Sequence, residues 1–187
     1  MLPAIMEPHD VHSPTSRPPV QLASGPTAAV FTWNGDRWAH RITTGEATIW
    51  TSLDGPCPPA NDPRWPASPV MVELSRVSVA RARVSVPRSD AAGGEAIVGV
   101  GLAGRSHFSA SIASDPHDAS VIRFEIACRL HEPPGWIGST YRQGDRLFRL
   151  TPLDDSTTLP RTVVWAYSIG PTGMTSVSGA AVSTSPA

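Results

Sequence analysis

The chain has 187 residues, a formal net charge of −1 and 40% hydrophobic residues, which is enough for one domain with a real core. This charge gives no general attraction to nucleic acid or to acidic membranes, and no apolar run approaches the length of a membrane span. All 15 cationic side chains are arginine, which excludes chemistry that needs a lysine amine, such as Schiff-base catalysis, the phosphate-binding P-loop and the protein-kinase site.

The two ends of the chain differ from its middle. Residues 1–26 carry six prolines and little periodicity, and residues 170–187 are small and polar. Neither segment offers enough apolar surface to offset the entropy of ordering it. We therefore predict a single folded domain over 27–169 between two disordered segments. The N-terminus lacks a signal-peptide pattern, so we expect a cytoplasmic protein.

The first part of the domain alternates with a period of two. "TAAVFTW", "WAHRITT" and "ATIWTSL" are separated by turn signals, of which Asn34-Gly35 is the strongest, and they predict a three-strand meander. The six prolines of 54–69 predict an extended crossing between sheets. The run 70–86 changes its apolar phase, which indicates bulges or bends, and we expect its second half, 80–86, to pair with 96–102.

Residues 99–104 contain the pattern Gly99-x-Gly101-x-x-Gly104 after an apolar run, as in a dinucleotide-binding loop. Such a loop needs a helix next, whose N-terminus meets the pyrophosphate. Residues 106–114 instead alternate strictly between apolar and polar side chains, which predicts a strand. Dinucleotide binding is therefore a minor alternative, and we expect no cofactor. The glycines are expected across from Arg81 and Arg83, where they would leave room for guanidinium groups or a ligand.

The favoured alternative is an antiparallel hairpin of 106–114 with 120–130 around the turn "DPHD". In this register Phe108 and Phe124 share a buried face with the apolar residues in phase with them. The opposite, polar face then carries the candidate ligand-binding residues Arg105, Arg123, Arg129 and His131, together with His107 and Glu125.

Two functions follow from this polar face. The first is a binding or interaction domain for a sugar or another small polar ligand. The alternative without a function is that this polar face is an ordinary solvated sheet surface. The second is a sugar-active enzyme in which His107 and Glu125 act as an acid/base pair. Trp65 and Trp136 lie in Pro/Gly loops, where they could stack on a sugar, although we favour them as plugs at the ends of the sandwich. No spacing motif supports a metal site.

The sequence as a whole predicts an all-β protein, an antiparallel β-sandwich of roughly nine or ten strands with little helix. In architecture it is similar to carbohydrate-binding modules and to sandwiches of the galactose-mutarotase type, an analogy that does not fix function. His40 lies in phase between Trp38 and Ile42, so we expect a packed histidine. The two cysteines, Cys57 and Cys128, are expected to be free thiols.

Overall fold

The computed structural model describes residues 16–45, 48–55, 65–79, 94–154 and 156–187. Over these residues the chain forms thirteen β-strands and no helix. The strands make two antiparallel sheets around a shared core, which confirms the β-sandwich but with more strands than expected. The strands are β1 Val20–Ser24, β2 Thr27–Trp33, β3 Trp38–Thr44, β4 Thr48–Ser52, β5 Glu73–Val79, β6 Gly94–Ala103, β7 Ser106–Ser114, β8 Ile122–Leu130, β9 Ser139–Gln143, β10 Arg146–Pro152, β11 Arg161–Gly170, β12 Gly173–Ser178 and β13 Ala180–Pro186.

The seven-stranded sheet has the order β1-β2-β3-β4-β9-β10-β13, and the six-stranded sheet has the order β12-β11-β8-β7-β6-β5. The predicted meander is confirmed as β2, β3 and β4, which pair antiparallel in sequence. The first turn is the one that Asn34-Gly35 indicates. Gly35 has φ of 82°, and the N–H of Asn34 donates to the carbonyl of Arg37 at 2.7 Å.

The predicted hairpin of β7 and β8 is confirmed. His107 pairs with Arg129, Phe108 with Cys128 and Ser114 with Ile122. The alternation divides the two strands as the pattern indicates, because the apolar set faces the other sheet and is buried while the polar set faces solvent. A strict period of two fixes which face of each strand is buried, because a slip of one residue would turn the apolar side chains to solvent.

The neighbour of β6 differs from the expected one. Residues 73–79 pair with β6 from Gly94 to Val100, and β7 occupies the other side of the strand. β5 and β7 together occupy both edges of β6 from Ala96 to Val100. Arg81 and Arg83 lie outside the described residues, and the residue directly across from Gly99 on β5 is Leu74.

The glycines of 99–104 serve packing and a turn, instead of leaving room for guanidinium groups or a ligand as expected. Gly99 and Gly101 point into the sandwich, where a side chain at Gly99 would lie 2.9 Å from Met71 and one at Gly101 would lie 1.4 Å from the carbonyl of Val70. The chain before β5 crosses here so closely that only glycine fits. Gly104, with φ of 56°, makes the turn into β7, so the helix of a dinucleotide site is replaced by a strand.

The ends of the chain also differ from the prediction. Residues 173–178 and 180–186, expected to be disordered, form β12 and β13, and part of the N-terminal segment forms β1. Edge strands need few apolar side chains, since the backbone hydrogen bonds of their neighbours hold them. Hydrophobic periodicity therefore misses them. Residues 1–15 of the predicted N-terminal segment lie outside the described residues.

The core between the sheets is rich in aromatic side chains. Trp38, Trp50 and Trp165 are buried on their strands, while Trp33 is half-buried. Phe124 stacks on Tyr167 with 4.9 Å between ring centroids and 2° between planes. Because both sheets contribute rings to this layer, it fixes the distance and the angle between them.

Candidate functional site

The outer face of the six-stranded sheet carries a shallow groove of about 490 Å³. Three small or aliphatic residues that line it, Val100, Ser109 and Ala127, lie side by side on β6, β7 and β8, and Val164 continues the row on β11 outside the groove. The small side chains on β7 and β8 make the floor, and the larger ones beside them make a wall. The residues that line the groove are Val72, Val100, Gly101, Leu102, His107, Phe108, Ser109, Ala127, Arg129 and Thr162.

The next row of the sheet gives the groove one polar end. Leu102, His107, Arg129 and Thr162 are neighbours on the same four strands. One guanidinium nitrogen of Arg129, Nη1, donates to the hydroxyl of Thr162 at 3.3 Å, and both His107 and Arg129 are exposed. In the part of the chain that the structure describes, no acidic residue lines the groove and no carboxylate lies within 4.0 Å of Arg129.

The predicted acid/base pair is not brought together. His107 lies opposite Arg129, whereas Glu125 lies opposite Ser111. Four residues of β8 separate the two positions, which is about 13 Å along an extended strand. Glu125 instead accepts from Arg123, with 2.8 Å between Oε1 and Nη2, beyond the end of the groove. Direct proton exchange needs hydrogen-bond distance, so the two side chains do not form a catalytic pair in this geometry.

The other predicted polar residues lie near the groove or away from it. The ring of His131 packs edge-on against that of His107, with centroids 5.9 Å apart. Arg105 occupies the turn after β6, where its backbone N–H donates to Glu132 at 3.2 Å. The structure therefore gathers His107, His131 and Arg129 at one end of the hairpin and leaves Arg123 at the other.

The two loop tryptophans do not border the groove. Trp65 is 1% exposed and belongs to the core, so no face of its ring is free for a sugar. Trp136 is half-buried, and its indole N–H donates to the carbonyl of Ala67 at 3.3 Å. Neither side chain lines the groove on the six-stranded sheet.

A buried polar chain crosses the core and was missed by the sequence analysis, apart from its histidine. The Nε2 atom of His40 is 2.8 Å from the hydroxyl of Tyr141, which is 2.7 Å from the hydroxyl of Tyr167. The indole N–H of Trp165 donates to the hydroxyl of Ser139 at 3.0 Å. These residues come from three separate strands, so no local pattern indicates the chain.

Burial sets the ionisation of this buried polar chain. It lowers the pKa of His40 to about 4, against a smaller opposing effect of Asp54, and the ring lies within stacking distance of Phe31 and Phe124. Burial also raises the pKa of Tyr167 to about 12, against hydrogen bonds from Ser139 and Tyr141 that lower it. All members are therefore neutral near pH 7, and each hydroxyl can donate toward His40, whose Nε2 accepts.

Comparisons with known proteins give no relative. No family model, no curated protein and no solved structure matches this chain. Among the described residues, no three His, Cys, Asp or Glu side chains are grouped to hold a metal ion, and no helix is long and apolar enough to cross a membrane. What the fold and the site define is an antiparallel β-sandwich with an exposed, mainly apolar groove that ends at an arginine.

Proposed function

We propose that this protein is a binding domain, and that the groove on its six-stranded sheet takes a small ligand with an aliphatic body and one carboxylate. The observation that carries this proposal is the placement of Arg129 and His107 at one end of a groove whose other lining is mostly apolar. A volume of about 490 Å³ lies within the range of small-molecule sites, which combine apolar walls with a few polar groups.

Arg129 supports an anionic group in the ligand. A guanidinium offers a planar fork of N–H donors that matches the two oxygens of a carboxylate. The hydrogen bond to Thr162 uses Nη1 and holds the side chain along the sheet, which leaves donors directed to solvent. Without an acidic side chain beside it among the described residues, the charge of Arg129 is available to a ligand.

A sugar acid is also a candidate ligand, because it carries the carboxylate that Arg129 would bind. Neutral sugars bind proteins through aromatic platforms, and the groove lining among the described residues includes no exposed Phe, Tyr or Trp, since its Phe108 is buried. The enzyme alternative loses support because His107 and Glu125 are separated along β8. The proposed compartment is the cytoplasm, with which the free thiol of Cys128 is consistent.

The test uses two pairs of matched ligands, hexanoate with hexanamide and glucuronate with glucose, followed by NMR shifts of the backbone amides. We expect hexanoate to shift the amides of Leu102, Ser109 and Ala127, with hexanamide at least tenfold weaker. Arg129→Gln should weaken hexanoate binding by at least tenfold, which is the effect of losing about 1.4 kcal/mol. Ala127→Phe should abolish it by filling the floor of the groove.

The control is Arg142→Gln, which makes the same change of charge on an exposed arginine of the seven-stranded sheet. This variant should bind hexanoate as the unaltered protein does. Preferential binding of glucuronate would identify the ligand body as a sugar acid. Equal binding by Arg129→Gln and the unaltered protein, or no shift of these amides by any of the four ligands, would rule the proposal out.

A further inference from the structure

One side of the sandwich is formed by a single bent strand. β12 pairs with β11 in the six-stranded sheet, and one residue later β13 pairs with β10 in the seven-stranded sheet. Gly179 makes the bend with φ of 64°, and a side chain there would lie 2.7 Å from the carbonyl of Val164. We call residues 173–187 the β12–β13 seam. It contains no charged side chain.

The opposite side of the sandwich, between β1 and β5, is closed by arginines. Arg76 on β5 donates to the carbonyl of Gln21 on β1 at 2.8 Å, and Arg17 donates to the carbonyl of Val72 at 3.2 Å. Arg76 also pairs with Glu95 at 3.2 Å. Charged side chains of this kind hinder another strand from joining an edge. The β12–β13 seam has no such protection within its own sequence.

Exposed aliphatic side chains collect around the seam. Leu153 is 72% exposed, and its N–H donates to the carbonyl of Gly179 at 2.9 Å, which places it beside the bend. Val164, Val177 and Val182 are exposed by 56%, 39% and 38%. An open edge bordered by apolar side chains is a surface that a second strand would both extend and cover.

The hydrogen bonds of β13 show which of its backbone groups are open. Leu153 bonds to Gly179 and Ala187 bonds to Asp145, so the odd-numbered residues of β13 direct their N–H and C=O groups toward β10. In an antiparallel pair, bonded and non-bonded positions alternate. The N–H and C=O groups of Val182 and Thr184 therefore point away from β10, to an edge with which no other described strand pairs.

We propose that β13 pairs antiparallel with β13 of a second copy of this chain, about a two-fold axis at Ser183. In this register Val182 of one copy lies opposite Thr184 of the other, and each pair exchanges two N–H···O bonds. The unpaired backbone groups of Val182 in one copy thus face those of Thr184 in the other without any shift of the strand. β13 brings no charged side chain of its own to the axis, and the guanidinium of Arg149 on β10 is held against the strand by its hydrogen bond to Ser185 at 2.8 Å. Val182 is covered by the second copy.

A second copy suits this edge better than an unrelated peptide. A two-fold contact presents the same surface twice, so each feature must complement itself, and an uncharged strand with two matching open positions does so. The two seven-stranded sheets then continue into one another, and the exposed aliphatic side chains beside the bend come to lie at the contact. The proposal does not depend on the ligand groove, which lies on the other sheet.

The experiment compares two variants at one position by analytical ultracentrifugation over a range of concentrations. The unaltered protein should sediment as a dimer of the 19.8 kDa chain that dissociates on dilution. Thr184→Pro removes only an N–H that points to the open edge, so it should weaken the dimer at least tenfold and leave the monomer folded. Thr184→Val keeps the N–H and should retain the dimer.

Ser183→Lys gives an independent test, because it would bring two ammonium groups together at the axis. We expect this variant to be monomeric, with the amides of Val182 and Thr184 exchanging hydrogen faster than in the dimer. Gln21→Lys, at the opposite side of the sandwich, should remain a dimer. A monomer at every concentration of the unaltered protein, or a dimer that survives both Thr184→Pro and Ser183→Lys, would disprove the pairing.

Discussion

Protonation of His40 would place a positive charge among Phe31, Phe124 and the hydroxyl of Tyr141. The folded protein resists this, which is why the pKa of His40 falls to about 4. In the unfolded chain the same histidine takes up its proton near pH 6.5. The buried polar chain thus makes stability depend on pH through one residue.

The sign of this dependence follows from the number of protons bound. Between pH 6.5 and pH 4 the unfolded state binds the proton and the folded state does not, so the free energy of unfolding falls as the pH falls. The loss reaches up to about 3 kcal/mol near pH 4, from a shift of about 2.5 in pKa. Denaturant unfolding between pH 4 and pH 8 should show this decline. His40→Gln should flatten it.

His117→Gln is the matched control, since His117 is exposed in the turn between β7 and β8. Its stability should depend on pH as that of the unaltered protein does. The acidic groups whose pKa values are lowered, Asp36, Asp118 and Asp154, titrate below their usual range and so act below this window. A decline that persists unchanged in His40→Gln would mean that His40 is not its source.

At the scale of elements, the β7–β8 hairpin lies in the middle of the six-stranded sheet, with a neighbouring strand on each side. β6 and β11 flank it, and Phe124 at its centre is 1% exposed against Tyr167 and His40. Phe124→Ala should cost about 3–5 kcal/mol of unfolding free energy, since it leaves a cavity between the sheets. Denaturant titration measures this loss directly.

The comparison for this substitution is Ile49→Ala on β4, where the side chain is 50% exposed. We expect that change to cost less than about 1 kcal/mol, because little apolar surface leaves the core. Should Phe124→Ala also cost less than about 1 kcal/mol, the side chain would not be packed as the structure has it.

The sequence predicted elements where a side-chain pattern decides the structure. The β7–β8 hairpin alternates without a break, and Asn34-Gly35 marks the turn between β2 and β3, so both hairpins were predicted. The pairing of β6 was not, because several runs between 70 and 86 have the same β-forming character. β12 and β13 were missed because backbone hydrogen bonds hold them more than apolar contacts do.

The same reasoning applies to the candidate site. The polar face of β7 and β8 was predicted from alternation, and His107 and Arg129 do lie together. The separation of His107 from Glu125 depends on the offset between two strands, which composition does not reveal. The apolar part of the groove was missed because Val100 and Leu102 have the residue types of a core, yet Gly99 and Gly101 take the inward positions on that strand.

At the scale of the whole molecule, the β12–β13 seam ties the two sheets together. Its removal would leave β10 and β11 as unprotected edges and uncover their inner side chains. A chain that ends at Gly170 should lose its cooperative unfolding transition or melt more than about 10 °C lower, at roughly 2–4 °C for each kcal/mol lost. Differential scanning calorimetry measures the change.

Removal of residues 1–15 is the control for the truncation at Gly170. Those residues were predicted to contribute nothing to the fold, so a chain that begins at Ser16 should keep the melting temperature of the full chain. If the chain ending at Gly170 melts as the full chain does, the seam does not stabilise the sandwich.

The thiol of Cys128 can report how often this fold opens. Its side chain lies in the middle of β8, fully buried between Phe108 on one neighbouring strand and Val163 on the other, and burial raises the pKa of its thiol to about 12. An alkylating reagent needs a thiolate that it can reach, and both conditions are met only when β8 separates from its neighbours. In a Cys57→Ser background, the rate of alkylation at Cys128 therefore measures how often the sandwich opens at β8. The measurement works under conditions where nearly every molecule is folded.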